Sequence, residues 1–255
     1  MPNKNIAHLF SSILWSVFLI GIMEIMYYFI IINDLANYFI LSFLLGTTIV
    51  ITAVKTFHPR VGYYHELLPY LIHPVFLFIG FVSFLIFNEN IYLRQMAIVL
   101  TLIGYTVLFS ENYSDLAHKA HDGVKFLIIL FLFNTVFETV HTMGLPIYII
   151  PLFIILISLL LFYHMFWRLD ALGDRFIGLG FIFSIFIGAT AYLLVNYYIF
   201  ASFLILSIIL LTIYYVFWGI LHHYIEKNLT FYIFVEYLLI AGIIISMFLG
   251  LITGW

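Results

Sequence analysis

Apolar runs of about twenty residues alternate with short polar clusters along almost the whole chain, and each run is long enough for a helix to cross the hydrocarbon of a bilayer. Read this way, the pattern predicts nine spans over residues 8–32, 38–57, 66–87, 91–110, 124–144, 146–167, 176–196, 199–221 and 229–252. Only Asn196, Tyr197 and Tyr198 separate the seventh from the eighth. A re-entrant pair there, with eight spans in total, is the alternative. The first run is too long for the apolar core of a secretory signal and lacks a small-residue cleavage site, so it is expected to stay as an anchor.

Composition agrees with the pattern. The 255 residues are 65% hydrophobic and 8% charged, with a mean hydropathy of +1.20, well outside the range of soluble domains. No polar stretch is long enough to fold separately, so residues 1–255 are expected to form one integral membrane domain, an all-α polytopic helix bundle. There is no cysteine, which excludes disulfides, thiolate metal sites, iron–sulfur clusters and thiol nucleophiles.

Charge gives the expected orientation, because Lys and Arg collect on the cytoplasmic side of short loops. With the N-terminus inside, Lys4, Lys55, Arg60, Lys119, Lys125, Arg168, Arg175 and Lys227 all fall inside and only Arg94 falls outside. The C-terminus at Trp255 then lies on the opposite side. The net charge of −3 comes without the basic patch that nucleic-acid binding requires.

The small residues of three spans recur every four positions: Gly180, Ser184 and Gly188 in the seventh, Gly242, Ser246 and Gly250 in the ninth, and Ser42 with Gly46 in the second. Such faces let helix backbones approach closely. They are read as packing surfaces, with lining a pathway as the alternative; a second copy of the chain or another membrane subunit is a separate candidate partner.

Ionisable side chains at membrane depth are costly and tend to mark ligand sites, ion pathways or proton relays. Here they are Glu24, His73, Glu138, His141 and Glu236. Counting about 1.5 Å per residue from each span's midpoint puts Glu24, Glu138 and His141 in the outer half and His73 with Glu236 in the inner half. In the stretch VFETVHTMG, Glu138 and His141 share a helical face with Asn134 at i, i+4 and i+7. That stripe supports three readings. It can be part of a site for a proton, ion or small polar solute running along Glu24, His73, Asn134, Glu138, His141 and Glu236. It can be half of the Glu-x-x-His di-metal motif of ferritin-like bundles, which needs a second copy that this sequence lacks. It can also be a polar pair that only sets helix register in a structural or assembly subunit.

The cytoplasmic ends carry a second set of candidates. Eight of the ten histidines fall there. The segment SDLAHKAHDG could present Asp115, His118 and Asp122 on one face of a short helix with His121 beside them, and HHYIEK adds His222, His223 and Glu226. Imidazole with carboxylate suits Zn, Fe or Mn, so the alternative to a transporter is a membrane metalloenzyme acting on a lipid-like substrate. A single haem between His73 and His141 is disfavoured by their separation of about 15 Å along the normal. In RLDALGDR, Asp170 and Asp174 resemble the second Asp-x-x-x-Asp motif of UbiA-type prenyltransferases, but the loop KTFHPRVGYYHELLP has no Asp to supply the first. His118 to His121 and the His222–His223 doublet resemble the histidine boxes of membrane desaturases, though no His-x-x-His-His occurs.

Overall fold

The computed structural model describes the backbone of residues 2–33, 36–57, 64–88, 90–110, 115–198 and 201–253, and within these all side chains except those of 2–8, 26, 27, 29–33, 36–45, 57, 64–69, 115–119, 122 and 253. The described residues form nine helices and no strand: α1 (Pro2–Asn33), α2 (Ala36–Phe57), α3 (Tyr64–Phe87), α4 (Ile91–Ser110), α5 (Asp115–Thr142), α6 (Ile149–Arg168), α7 (Asp174–Tyr197), α8 (Phe203–Ile225) and α9 (Phe231–Thr253). Seven of them, α3 to α9, are long and apolar enough to cross a membrane by length and composition. In α1 the corresponding apolar segment is Leu9–Ile25.

The run expected to begin at 124 belongs to a helix that starts at Asp115. Lys119, His121, Asp122 and Lys125 interrupt the hydropathy but not the helix. Beyond them the buried positions Val124, Ile128, Phe131 and Leu132 recur at helical spacing, and His121 and Lys125 lie on the same buried face. The weak break near Asn196 ends a helix: α7 stops at Tyr197, and a turn with the Ala201 N–H donating to the Tyr198 carbonyl at 2.9 Å leads into α8.

The chain divides into two compact units, residues 1–132 and 133–255, the division falling inside α5. In the first unit, α1 packs on α2, α3 and α4, and α3 packs on α2 and α4. Close approach depends on glycine. A Cβ at Gly46 would run into the Phe78 ring, and one at Gly80 would come 2.8 Å from the Phe131 Cβ. Several hydroxyls in these apolar helices are satisfied by carbonyls one turn back, as with Ser16 donating to the Ser12 carbonyl at 2.7 Å. Thr106 of α4 donates to Ser16 Oγ of α1 at 3.3 Å.

The second unit holds the end of α5 and helices α6 to α9. Phe162 and Tyr214 stack at 4.8 Å with Phe133 edge-on to Tyr214, tying α5, α6 and α8 together. The stripe on α7 faces α6: a Cβ at Gly180 would lie 2.8 Å from the Phe166 ring, and one at Gly188 would lie 2.9 Å from the Pro151 carbonyl oxygen. On α8, Gly219 makes room for Tyr237 of α9. The stripe on α9 has no such neighbour, since nothing described lies within 4 Å of a Cβ at Gly242 or Gly250.

Three helices end in the same hydrogen-bonded cap, in which a left-handed residue lets two N–H groups return to the last turn. Gly144 (φ 62°) ends α5, Asp170 (φ 51°) ends α6 and Lys227 (φ 59°) ends α8. At α8 the Asn228 N–H donates to the His223 carbonyl at 3.1 Å and the Lys227 N–H to the Tyr224 carbonyl at 3.2 Å.

Candidate functional site

In the first unit two buried imidazoles meet. His73 of α3 is 2% exposed and His121 of α5 is 4% exposed. His73 Nδ1 and His121 Nε2 are 3.0 Å apart, and the rings stand at 68° to each other with centroids 4.8 Å apart. At that distance one nitrogen carries the shared proton and the other accepts it, whichever tautomer each ring adopts.

The surroundings hold the pair in place. Pro74 follows His73 directly and cannot donate to the carbonyl one turn back, so α3 is loosened beside the imidazole. The Tyr105 hydroxyl of α4, fully buried, donates to the Pro74 carbonyl at 3.1 Å and ties that weak point down. Lys125, one turn after His121 on α5, is also buried. An ammonium, a phenol and two imidazoles thus share the packed interior of one unit. Apolar side chains supply most of the rest of that interior, among them Leu77, Phe78, Val124 and Ile128, with a few buried hydroxyls such as Ser16 and Thr101.

The other pathway candidates are placed differently. Glu24 of α1 is half-buried, and its Oε1 meets no hydrogen-bond partner among the described residues. In the second unit Asn134 is buried, Glu138 is half-buried and His141 is exposed. Glu138 and His141 interact electrostatically, but no hydrogen bond or ion pair joins them. The His141 ring lies instead 5.1 Å from that of Phe203 at the start of α8. Glu236 is exposed on α9, beside Tyr237. No glutamate among the described residues is fully buried. Asn134 Oδ1 and Ser158 Oγ, both in the second unit, are buried without a hydrogen-bond partner among the described residues.

Of the candidates expected at the cytoplasmic ends, His121 is inside a helix and pairs with His73. The side chains of Asp115, His118 and Asp122 lie outside the described residues. His222, His223 and Glu226 form the end of α8, where each has structural work. His222 stacks on Trp218 at 5.0 Å and approaches Glu226 at 3.4 Å. His223 Nδ1 lies 2.7 Å from Asn228 Oδ1, and Asn228 Nδ2 donates to Glu226 Oε2 at 3.0 Å. The two rings stand at 78° and engage different partners.

The pairing of His73 with His121 escaped a reading of the sequence because the two lie 48 residues apart and one sits in a polar cluster that looks like a loop. The available signal was the helical recurrence of His121, Lys125, Ile128 and Leu132. What the fold and the pair define is a helical protein with membrane-length apolar helices and a buried imidazole site. Comparison with protein-family models, curated proteins and solved structures finds no match for the chain.

Proposed function

We propose that this chain is a multi-pass membrane protein that binds and moves a proton, an ion or a small polar solute, with the His73–His121 pair as its working element. The observation that carries this reading is the 3.0 Å approach of two buried imidazoles from different helices. Insertion of polar side chains at membrane depth is costly, and those retained there usually serve a pathway or a site. An imidazole can accept a proton at one nitrogen and release one from the other, so a facing pair can pass a proton between α3 and α5.

Exposed side chains support the membrane setting. Phe181, Ile182 and Phe186 on α7 and Ile243, Met247 and Leu251 on α9 are exposed and apolar, as surfaces solvated by lipid must be. Sorting of the basic residues supports a cytoplasmic N-terminus and a C-terminus on the opposite side. Glu24, Asn134 and Glu138 are the further groups that a polar solute would meet. Asn134 Oδ1 in particular needs a partner that a passing solute or water would supply.

The test is flux in proteoliposomes under an imposed proton or ion gradient. Wild-type protein should exceed empty liposomes, and His73→Gln and His121→Gln should each reduce the rate at least tenfold while circular dichroism stays helical. Unchanged flux in both variants, or none in the wild type, overturns the reading.

A further inference from the structure

We infer that His73 Nδ1 and His121 Nε2 are ligands in a binding site for a divalent transition-metal ion of the zinc class. This rests on the proposed ion-handling role and names the ion.

The geometry comes first. Zinc is bound by imidazole nitrogen at about 2.0–2.1 Å in a tetrahedral arrangement, and the edge of such a tetrahedron, the distance between two ligand atoms, is roughly 3.3–3.4 Å. The two imidazole nitrogens already stand 3.0 Å apart. Replacing the shared proton by a metal ion therefore asks the rings to separate by only a few tenths of an ångström and to turn their lone pairs toward a common point. The rings are not stacked face to face. At 68° they present their nitrogens edge-on, as ligands at neighbouring vertices do.

Donor chemistry narrows the ion. Imidazole suits Zn, Cu, Ni and Fe, whereas Ca and Mg take carboxylate and carbonyl oxygen. Thiolates, the donors that would select monovalent copper or an iron–sulfur cluster, are absent because the chain has no cysteine. Both rings ligate only when the facing nitrogens are free of protons, so on binding the proton that now joins them moves to the other nitrogen of its own ring. A neutral pair therefore binds the ion with no net proton released, and a pair carrying one imidazolium releases one.

The two imidazoles supply two of the four donors of a tetrahedral zinc site. Conduction needs binding strong enough to admit the ion and weak enough to release it. Pro74 and Tyr105 form the outer support: the hydrogen bond of Tyr105 to the Pro74 carbonyl fixes the backbone next to His73.

The experiment is equilibrium binding of Zn²⁺ and of Co²⁺, each as the only added metal, to the full chain in detergent, with X-ray absorption at the zinc edge. About one ion per chain is expected, with the scattering signature of at least two imidazoles. His73→Gln and His121→Gln should each weaken binding by more than the roughly 10- to 100-fold that loss of an outer-shell partner costs, and each should remove one imidazole from the spectrum. His223→Gln, in the cap of α8, should leave both unchanged. A variant that misfolds is replaced by Tyr105→Phe, which keeps both ligands and should weaken binding by roughly 10-fold or more. Binding below a tenth of an equivalent in the wild type, or binding indifferent to His73 and His121, overturns the inference. If Zn²⁺ does not bind while proton flux still depends on the two histidines, the metal is wrong and the transport reading stands. If Zn²⁺ binds through them but nothing is moved, the site stands and the transport reading fails.

Discussion

In the first unit His73 and His121 come from different helices, lie 48 residues apart and reach each other at 3.0 Å in a buried setting. In the second unit Glu138 and His141 lie three residues apart on one helix, yet His141 is exposed and no hydrogen bond joins them. The small-residue stripes repeat the contrast. On α7, Gly180 and Gly188 are pressed against α6, while on α9 Gly242 and Gly250 have nothing described within 4 Å. Helical spacing tells which residues share a face, but not what that face meets.

The largest expected effect breaks or sharpens the first contrast directly. His73→Gln or His121→Gln should cut flux at least tenfold, while His141→Gln should change it less than twofold in the same proteoliposome assay. An equal loss in His141→Gln would show that the exposed stripe works as hard as the buried pair. Next come the stripes. Gly188→Ala forces a Cβ against Ile155 and the Pro151 carbonyl and should destabilise by about 1–3 kcal/mol, whereas Gly242→Ala should be neutral or stabilising by up to about 1 kcal/mol from helix propensity. Denaturant titration of the purified protein in mixed micelles measures both, and a comparable loss at Gly242 would show that the α9 stripe is covered in solution.

Smaller effects belong to the cap of α8. Asn228→Ala removes the bonds to His223 and Glu226 and should cost about 0.5–1.5 kcal/mol without altering metal binding or flux. A loss of bound metal in this variant would move the site to the histidines of α8. Smallest is Lys227→Gly. Lys227 holds a left-handed backbone at φ 59°, which strains any residue with a Cβ, so glycine should raise stability by up to about 1 kcal/mol, read as a higher midpoint in the same titration.

Much of the helix plan was readable in advance. The run 91–110 is α4 and the run 229–252 lies within a residue or two of α9, because a continuous apolar stretch between polar clusters has few other stable states. The beginning of α5 was not readable from hydropathy, since Lys119, His121, Asp122 and Lys125 make it look like a loop. Their side chains are polar, but the backbone needs only helical propensity and a neighbouring surface to continue its ladder. His73 stood out as a buried ionisable residue, and His121 as a candidate ligand on the cytoplasmic face. Nothing in the spacing of either named the other.

The local order of apolar and polar residues, acting through hydrogen bonds four residues apart, was enough to specify an all-helical chain with helices of membrane-crossing length and to mark its ionisable residues. Which of those residues meet depended on glycine-mediated contacts such as Gly80 against Phe131, which bring α3 and α5 together within the first unit. Contacts of that kind join residues dozens of positions apart, and helical periodicity carries no information across such a distance.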